Sequence, residues 1–235
     1  MFLKKWEDIP SNLKNEETKR YYEILNKKKW VLGFKRIIDI IFSLMLLILV
    51  SPFLLILAIA IKIESKGPVF YRQERITEYG KVFRIFKFRT MVQNADKIGS
   101  LITLGQDPRI TKIGRIIRKC RLDELPQLIN ILTGDMSFVG TRPEVKKYVD
   151  CYTDEMKATL LMKAGVTSTA SIEFRNEDEF MSEFLNQGES VDDVYVNRVL
   201  PIKMKYNLEY IEKLNLFSDI KIAINTVLAV LGLKK

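Results

Sequence analysis

Three observations predict a predominantly helical α+β protein seated on a membrane. Apolar residues recur at helical spacing in several runs, the extended pieces are short, and one stretch, 37–61, is almost wholly apolar. With 235 residues, the chain suits one large domain with appendages. Its pattern divides into an N-terminal extension (1–33), a membrane segment (34–66), a core (67–145) and a C-terminal part of the same domain (146–235).

The extension is rich in Lys, Glu and Asn and has no early apolar core followed by a small-residue cleavage site, so it is not read as a signal peptide. The apolar stretch is interrupted only by Asp39, Ser43, Ser51 and Pro52. As one helix it would extend about 37 Å against a hydrocarbon layer of about 30 Å, which is long enough to cross. Two features oppose a simple crossing. Lys35 and Arg36 flank one end and Lys62 and Lys66 the other, so basic residues give no direction. Pro52 removes a backbone donor near the centre and presses on the Ile48 carbonyl, which the Ser51 hydroxyl can satisfy. A bend there leaves two arms, 37–50 and 53–61, of roughly 21 and 14 Å, each too short to cross. The residues therefore leave two forms open, a re-entrant hairpin broken at Ser51-Pro52 and a kinked spanning helix.

After a Gly67-Pro68 turn, 68–71 reads as a short strand. The segment 81–91 mixes aromatics with cations and, if extended, points Lys87 and Arg89 to one side. A helix is expected over 94–101, a polar loop over 103–107, and helical spacing again over 113–118. Next comes Arg118-Lys119-Cys120-Arg121-Leu122-Asp123-Glu124-Leu125-Pro126-Gln127, an acidic pair framed by arginines. Pro126 fits the first turn of a helix whose apolar face runs through Leu128, Ile129, Ile131 and Leu132 and which Gly134 can end. That places both carboxylates at a helix start, where backbone N–H groups favour anions. Residues 135–144 read as a loop with a short extended piece, in which Pro143 biases Arg142 away from helical backbone. A small strand within 166–174, a helix over 200–216 and a short apolar helix over 220–233 complete the pattern. The last helix suits a membrane interface or a core.

Charge and missing residue types narrow the chemistry. A net charge of +9 favours an anionic partner: nucleic acid, anionic lipid or a phosphorylated substrate. The chain has no histidine, which removes Ser-His-Asp, Cys-His and His-ligated metal chemistry. Cys120 and Cys151 make neither a disulfide framework nor a metal spacing, as expected of a reducing compartment. Carboxylates among arginines suit phosphate chemistry, and Arg142 is a good bidentate phosphate fork.

Taken in order over 34–145, these motifs resemble the bacterial sugar transferases, specifically the monotopic polyprenol-phosphate phosphoglycosyl transferases. The matching residues are Lys35-Arg36-Ile37-Ile38-Asp39, Ser51-Pro52, Gly67-Pro68-Val69-Phe70-Tyr71-Arg72-Gln73 and Lys87-Phe88-Arg89-Thr90-Met91. They continue with Asp107-Pro108-Arg109-Ile110-Thr111, Leu122-Asp123-Glu124-Leu125-Pro126-Gln127-Leu128, Gly134-Asp135-Met136-Ser137 and Arg142-Pro143-Glu144. Thr77, Arg121 and Thr141 depart from the family pattern and put local loop geometry, but not the acidic pair, in question.

The resemblance implies the hairpin rather than the span, at the cytoplasmic face of a bacterial membrane. It implies transfer of a sugar 1-phosphate from a UDP-sugar to polyprenol (undecaprenyl) phosphate with release of UMP, an early step in surface-glycan synthesis. Asp123 is then the nucleophile that forms an aspartyl phosphosugar, and the contact for Mg²⁺. Glu124 positions the acceptor or manages its proton. Arg118 and Arg142 hold phosphate oxygens, with Lys87 and Arg89 as further candidates. Downstream glycosyltransferases are expected partners and nucleic acid is not. Two other classes fit parts of the chain: a basic membrane-seated scaffold for anionic lipid or proteins, and a nucleic-acid binder that makes no use of the apolar stretch. Release of UMP from a UDP-sugar separates the first reading from both.

Overall fold

The chain builds its core around helices from both ends of the sequence. The computed structural model describes residues 3–95, 107–174, 176–230 and 233. Most of the helix expected over 94–101, most of the loop over 103–107, and the terminal Lys234-Lys235 lie outside them.

Asn15 opens α1 (Glu16–Lys27): its side chain accepts from the Thr18 amide at 2.7 Å, Glu16 and Glu17 occupy the first turn and Lys27 the last. This helix belongs to the fold rather than to a separate extension. Ile9, Leu13, Tyr21 and Leu25 enter the largest core cluster beside Tyr148, Leu161, Met204 and Ile211. Each fully buried large apolar side chain of this kind stabilises by about 1.5–3 kcal/mol, enough to bind the segment from Ile9 to Leu25 to the domain.

A single helix, α2 (Lys29–Glu64), carries the apolar stretch. It runs without interruption through Ser51-Pro52, so the two expected arms are not separate elements. The Ser51 hydroxyl donates to the Ile48 carbonyl at 2.8 Å, as the proline requires. One stripe of α2 faces the protein along its whole length. Val31, Leu32, Lys35, Asp39 and Ser43 are buried. Leu46, Leu47 and Val50 pack on Phe83, Ile85 and Leu128. Leu54, Leu57, Ala58 and Ile61 pack with Phe88 and Ile117. The other faces, including Ile37, Ile41, Ile48, Leu49, Leu55, Ile56 and Ile63, are exposed. By length and composition the helix could cross a membrane.

The cations at the N-terminal flank, Lys35 and Arg36, take part in this docking. Lys35 is buried and its Nζ lies 2.5 Å from Asp219. Arg36 donates to the Ile131 and Leu132 carbonyls at 2.6 and 3.1 Å. Asp39 accepts from the Phe138 amide at 3.2 Å.

Strands β1 (Phe70–Ile76) and β2 (Val82–Phe88) form an antiparallel hairpin with Tyr71 opposite Lys87. Its turn contains Tyr79 and Gly80, both at positive φ. Helix α3 (Lys112–Lys119) is capped by Thr111, whose hydroxyl accepts from the Gly114 amide at 3.0 Å. A short 3-10 turn (Leu122–Glu124) leads into α4 (Gln127–Thr133), which ends at Gly134 with φ of 93°. Strands β3 (Met136–Val139) and β4 (Ala164–Thr167) pair in parallel. The C-terminal part adds α5 (Lys146–Val149), α6 (Thr169–Glu173), α7 (Glu177–Leu185), α8 (Val191–Val194), a π-helical turn (Tyr195–Val199), α9 (Leu200–Glu212) and α10 (Leu216–Val230). Phe217, Ile220, Ile224 and Val227 make an exposed apolar stripe on α10.

Candidate active site

A cavity of about 630 Å³ opens between the β1–β2 hairpin, the turn after α3, the loop after β3 and the helices around Tyr195. Asp123, Glu124, Lys87, Arg89, Arg118 and Arg142 all line it. Six residues spread over more than fifty positions thus meet in one place.

Local backbone explains how the acidic pair is presented. Arg121 sits in the left-handed region, with φ of 53°, and turns the chain sharply off the end of α3. Asp123 and Glu124 then lie in the 3-10 turn before α4, rather than in its first turn. At seven residues α4 is short, and the electrostatics of the pair come from side chains. Gly114 makes this placement possible. A Cβ there would lie 2.1 Å from the Thr90 carbonyl, so only glycine lets α3 approach the end of β2 so closely.

The two carboxylates differ. Glu124 is a hub: Lys87 Nζ donates to its Oε1 at 3.0 Å, while Arg142 lies 3.7 Å and Arg121 3.9 Å away. Burial favours its neutral form, but Lys87, Arg142 and Arg121 outweigh that and hold its carboxyl down to about 2. Among the described residues Asp123 has no ion pair within 4 Å. Burial pushes its carboxyl above the usual range and the Glu124 charge adds to this, against Lys87 and Arg118. Glu124 is thus held ionised by the cations gathered on it, while Asp123 stands beside them without an ion pair of its own among the described residues.

Arg142 is seated where a phosphate fork is useful. Its second nitrogen donates to Ser171 Oγ at 3.4 Å. Burial disfavours its charged form, but Glu124, Glu144 and Glu177 outweigh that and raise its pKa. Arg118, in the last turn of α3, makes no ion pair among the described residues. Arg89 behaves differently from the expectation for it. It donates to the Lys66 carbonyl at 3.0 Å, and to the Ser65 carbonyl and hydroxyl at 2.7 and 2.8 Å. It thereby clamps the end of α2, while its buried Nε has no partner among the described residues. Lys87 and Arg89 do share the cavity wall, but only Lys87 reaches the acidic pair.

No group of three or more His, Cys, Asp or Glu side chains converges as a metal cage among the described residues. A free Asp123 beside Glu124 does fit the partial kind of site that Mg²⁺ uses, one or two carboxylates completed by substrate phosphates.

The sequence reading missed the wall beyond Arg142. Buried Glu144 accepts from Tyr195 Oη at 2.7 Å, Lys203 donates to the same oxygen at 3.2 Å, and Lys203 Nζ is 2.6 Å from Glu177. Only Glu144 fell in a motif; the others come from distant helices with no local signal.

The chain is similar to known proteins over most of its length. Residues 30–233 match the model of a family described as bacterial sugar transferase. The UDP-N-acetylgalactosamine-undecaprenyl-phosphate N-acetylgalactosaminephosphotransferase of Aeromonas hydrophila is 34% identical over 84% of this chain and 43% of its own length. The UDP-glucose:undecaprenyl-phosphate glucose-1-phosphate transferase of Escherichia coli (strain K12) is 36% identical over 82% of this chain and 39% of its own. The chain thus spans about two fifths of each of these relatives. The uncharacterized sugar transferase EpsL of Bacillus subtilis (strain 168) is 34% identical, with 84% of this chain and 87% of the relative covered.

Proposed function

The chain belongs to the bacterial sugar transferase family, and on that premise we propose that it moves a sugar 1-phosphate from a UDP-sugar to polyprenol phosphate and releases UMP. The observation that carries this reading is the unequal acidic pair: one carboxylate gathers the cations and its neighbour is left free beside them.

In the first step an Asp123 carboxylate oxygen attacks the sugar-bearing phosphorus. The bond from that phosphorus to the bridging oxygen breaks, and UMP departs with the electron pair. Lys87, Arg118 and Arg142 stabilise charge on the phosphates. In the second step an oxygen of polyprenol phosphate attacks the same phosphorus and Asp123 leaves as a carboxylate. When bound, Mg²⁺ held by Asp123 and substrate phosphates supplies further charge neutralisation. Glu124 keeps Lys87, Arg142 and Arg121 converged on the reaction centre.

The packing of α2 supports a reading in which both ends of the helix lie on one face of the bilayer, because its protein-facing stripe continues on both sides of Ser51-Pro52 and packs on one domain. We read the segment as re-entrant at Ser51-Pro52, monotopic on the cytoplasmic face, with the α10 stripe at the interface. That seats the cavity beside a lipid phosphate. The names of the Aeromonas hydrophila and Escherichia coli relatives carry different sugars and do not assign one here.

The test is UMP release by the purified full chain from a panel of UDP-sugars with undecaprenyl phosphate and Mg²⁺. At least one sugar should give turnover that Asp123→Asn abolishes. No UMP from any of them would overturn the reading.

A further inference from the structure

The polar groups around the cavity fall into two sets of different charge. Lys87, Arg118 and Arg121 surround the acidic pair on one side. Beyond Arg142 the wall consists of Glu144, Ser171, Glu177, Asp178, Tyr195 and Lys203. In this second set Lys203, Tyr195 and Glu144 are 5%, 4% and 4% exposed, and they form one chain of contacts. Lys203 Nζ sits 2.6 Å from Glu177 and donates to Tyr195 Oη at 3.2 Å, and Tyr195 donates to Glu144 at 2.7 Å. Arg75 stands 3.8 Å from the far side of Glu144. Burying several ionisable groups in this way is costly, and an apolar wall would fold at least as well. The wall also begins at the π-helical turn Tyr195–Val199, a distortion frequent at functional sites. The transfer steps above use none of these groups.

We propose that this wall is the subsite for the sugar ring of the nucleotide sugar, where Tyr195 and Lys203 read its hydroxyl or acetamido groups. The inference rests on the transferase reading above and deepens it. Phosphates need cations, and those lie on the acidic-pair side. A neutral polyhydroxylated ring needs fixed donors and acceptors rather than a cluster of cations, and this wall offers Lys203, Tyr195 and Ser171 alongside the carboxylates of Glu144, Glu177 and Asp178. Distance points the same way. Arg142 lies 3.7 Å from Glu124 and donates to Ser171 at 3.4 Å, so the wall starts one guanidinium away from Asp123–Glu124. The sugar is bonded through one oxygen to the attacked phosphorus and must lie about that near, while uridine lies one phosphate further away. Lys203 has three N–H donors and two partners in the structure, which leaves one for a ligand. Phe174 on the same wall offers an apolar surface to a ring C–H face.

The test measures, by calorimetry in detergent on the full chain carrying Asp123→Asn so that no adduct forms, the affinities of UDP and of UDP-glucose, UDP-galactose, UDP-N-acetylglucosamine and UDP-N-acetylgalactosamine, with Tyr195 intact as the parent. Turnover of each sugar is followed in parallel on the chain with Asp123 intact. Tyr195→Phe removes one oxygen and keeps the ring; Lys203→Met is the stronger variant, accepted only if its thermal transition persists. Tyr195→Phe should weaken the best UDP-sugar about tenfold, leave UDP within twofold, and change the ratio of kcat/KM between sugars differing at one hydroxyl. Equal weakening of UDP and UDP-sugar would place uridine at the wall and overturn the proposal. Unchanged affinity and unchanged ratios, or a parent that binds no UDP-sugar more tightly than UDP, would also overturn it. Failure of the transferase reading looks different: the sugar increment appears and responds to Tyr195→Phe, but no UMP is released.

Discussion

Asp123 and Glu124 are neighbours in the chain, yet Lys87, Arg142 and Arg121 converge on one of them and leave the other free. A carboxylate held this way occupies the cations that a substrate phosphate would take. Glu124→Gln should therefore bind UMP more tightly, by about tenfold or about 1.4 kcal/mol, while turnover falls because the cations are no longer held together. Calorimetry with UMP on parent and variant checks this; weaker UMP binding in Glu124→Gln would show that Glu124 assists binding rather than competes with it. The pair, Lys87 and Arg142 were legible in the sequence, because an acidic pair among arginines has few uses in a protein without histidine. The unequal roles of the two carboxylates were not, since they depend on a strand and a loop arriving from elsewhere. Arg89 was legible as a cavity residue, but its engagement by Ser65 and Lys66 required the turn after α2 to be in place.

Among the elements, α3 and α2 do most to build the site. Helix α3 carries Arg118 and delivers the turn bearing Asp123, and it can do so only because Gly114 lets it lie against Thr90. Gly114→Ala forces α3 away from β2. Overpacking of this kind costs about 1–3 kcal/mol, which for a chain of this size lowers Tm by roughly 5 °C, and UMP affinity should fall with it. Thermal unfolding and UMP calorimetry on the same preparation check both; an unchanged Tm with normal UMP binding would mean that α3 has room to shift. The periodicity that announced α3, α4, α9 and α10 was local and therefore readable. The parallel pairing of β3 with β4 was not, because two four-residue strands twenty-five positions apart carry no pairing signal of their own. Helix α2 was readable as apolar and proline-interrupted. Its continuity through Pro52, and the use of Lys35, Arg36 and Asp39 to bind the domain, follow from tertiary contacts that outweigh the local break.

For the whole molecule, the arrangement of α2 has a direct consequence for sidedness. One domain packs on the helix before and after Ser51-Pro52, so both termini of the segment should lie on the same face of the membrane. Lys29 and Lys66 are both exposed and bracket the segment, unlike buried Lys35. Cysteines placed at these two positions, in a chain lacking Cys120 and Cys151, should react alike with an impermeant thiol reagent in intact cells and in inverted vesicles. Opposite labelling would establish a spanning helix. The N-terminal residues looked like an appendage because they are polar and charged; their few apolar positions, Ile9, Leu13, Tyr21 and Leu25, are the ones the core takes up.

The proposed reaction turns on a covalent step at Asp123. Its most direct test is mass spectrometry of the full chain after incubation with a UDP-sugar that it turns over, in Mg²⁺ and without any lipid acceptor. Close to one equivalent of UMP should appear, with a phosphosugar on the peptide containing Asp123 that is discharged when undecaprenyl phosphate is added. Asp123→Asn, checked to be free of deamidation, should carry no adduct. An unmodified Asp123 peptide with UMP appearing only after acceptor is added, or a fully active Asp123→Asn chain, would contradict it and favour direct attack by the lipid phosphate.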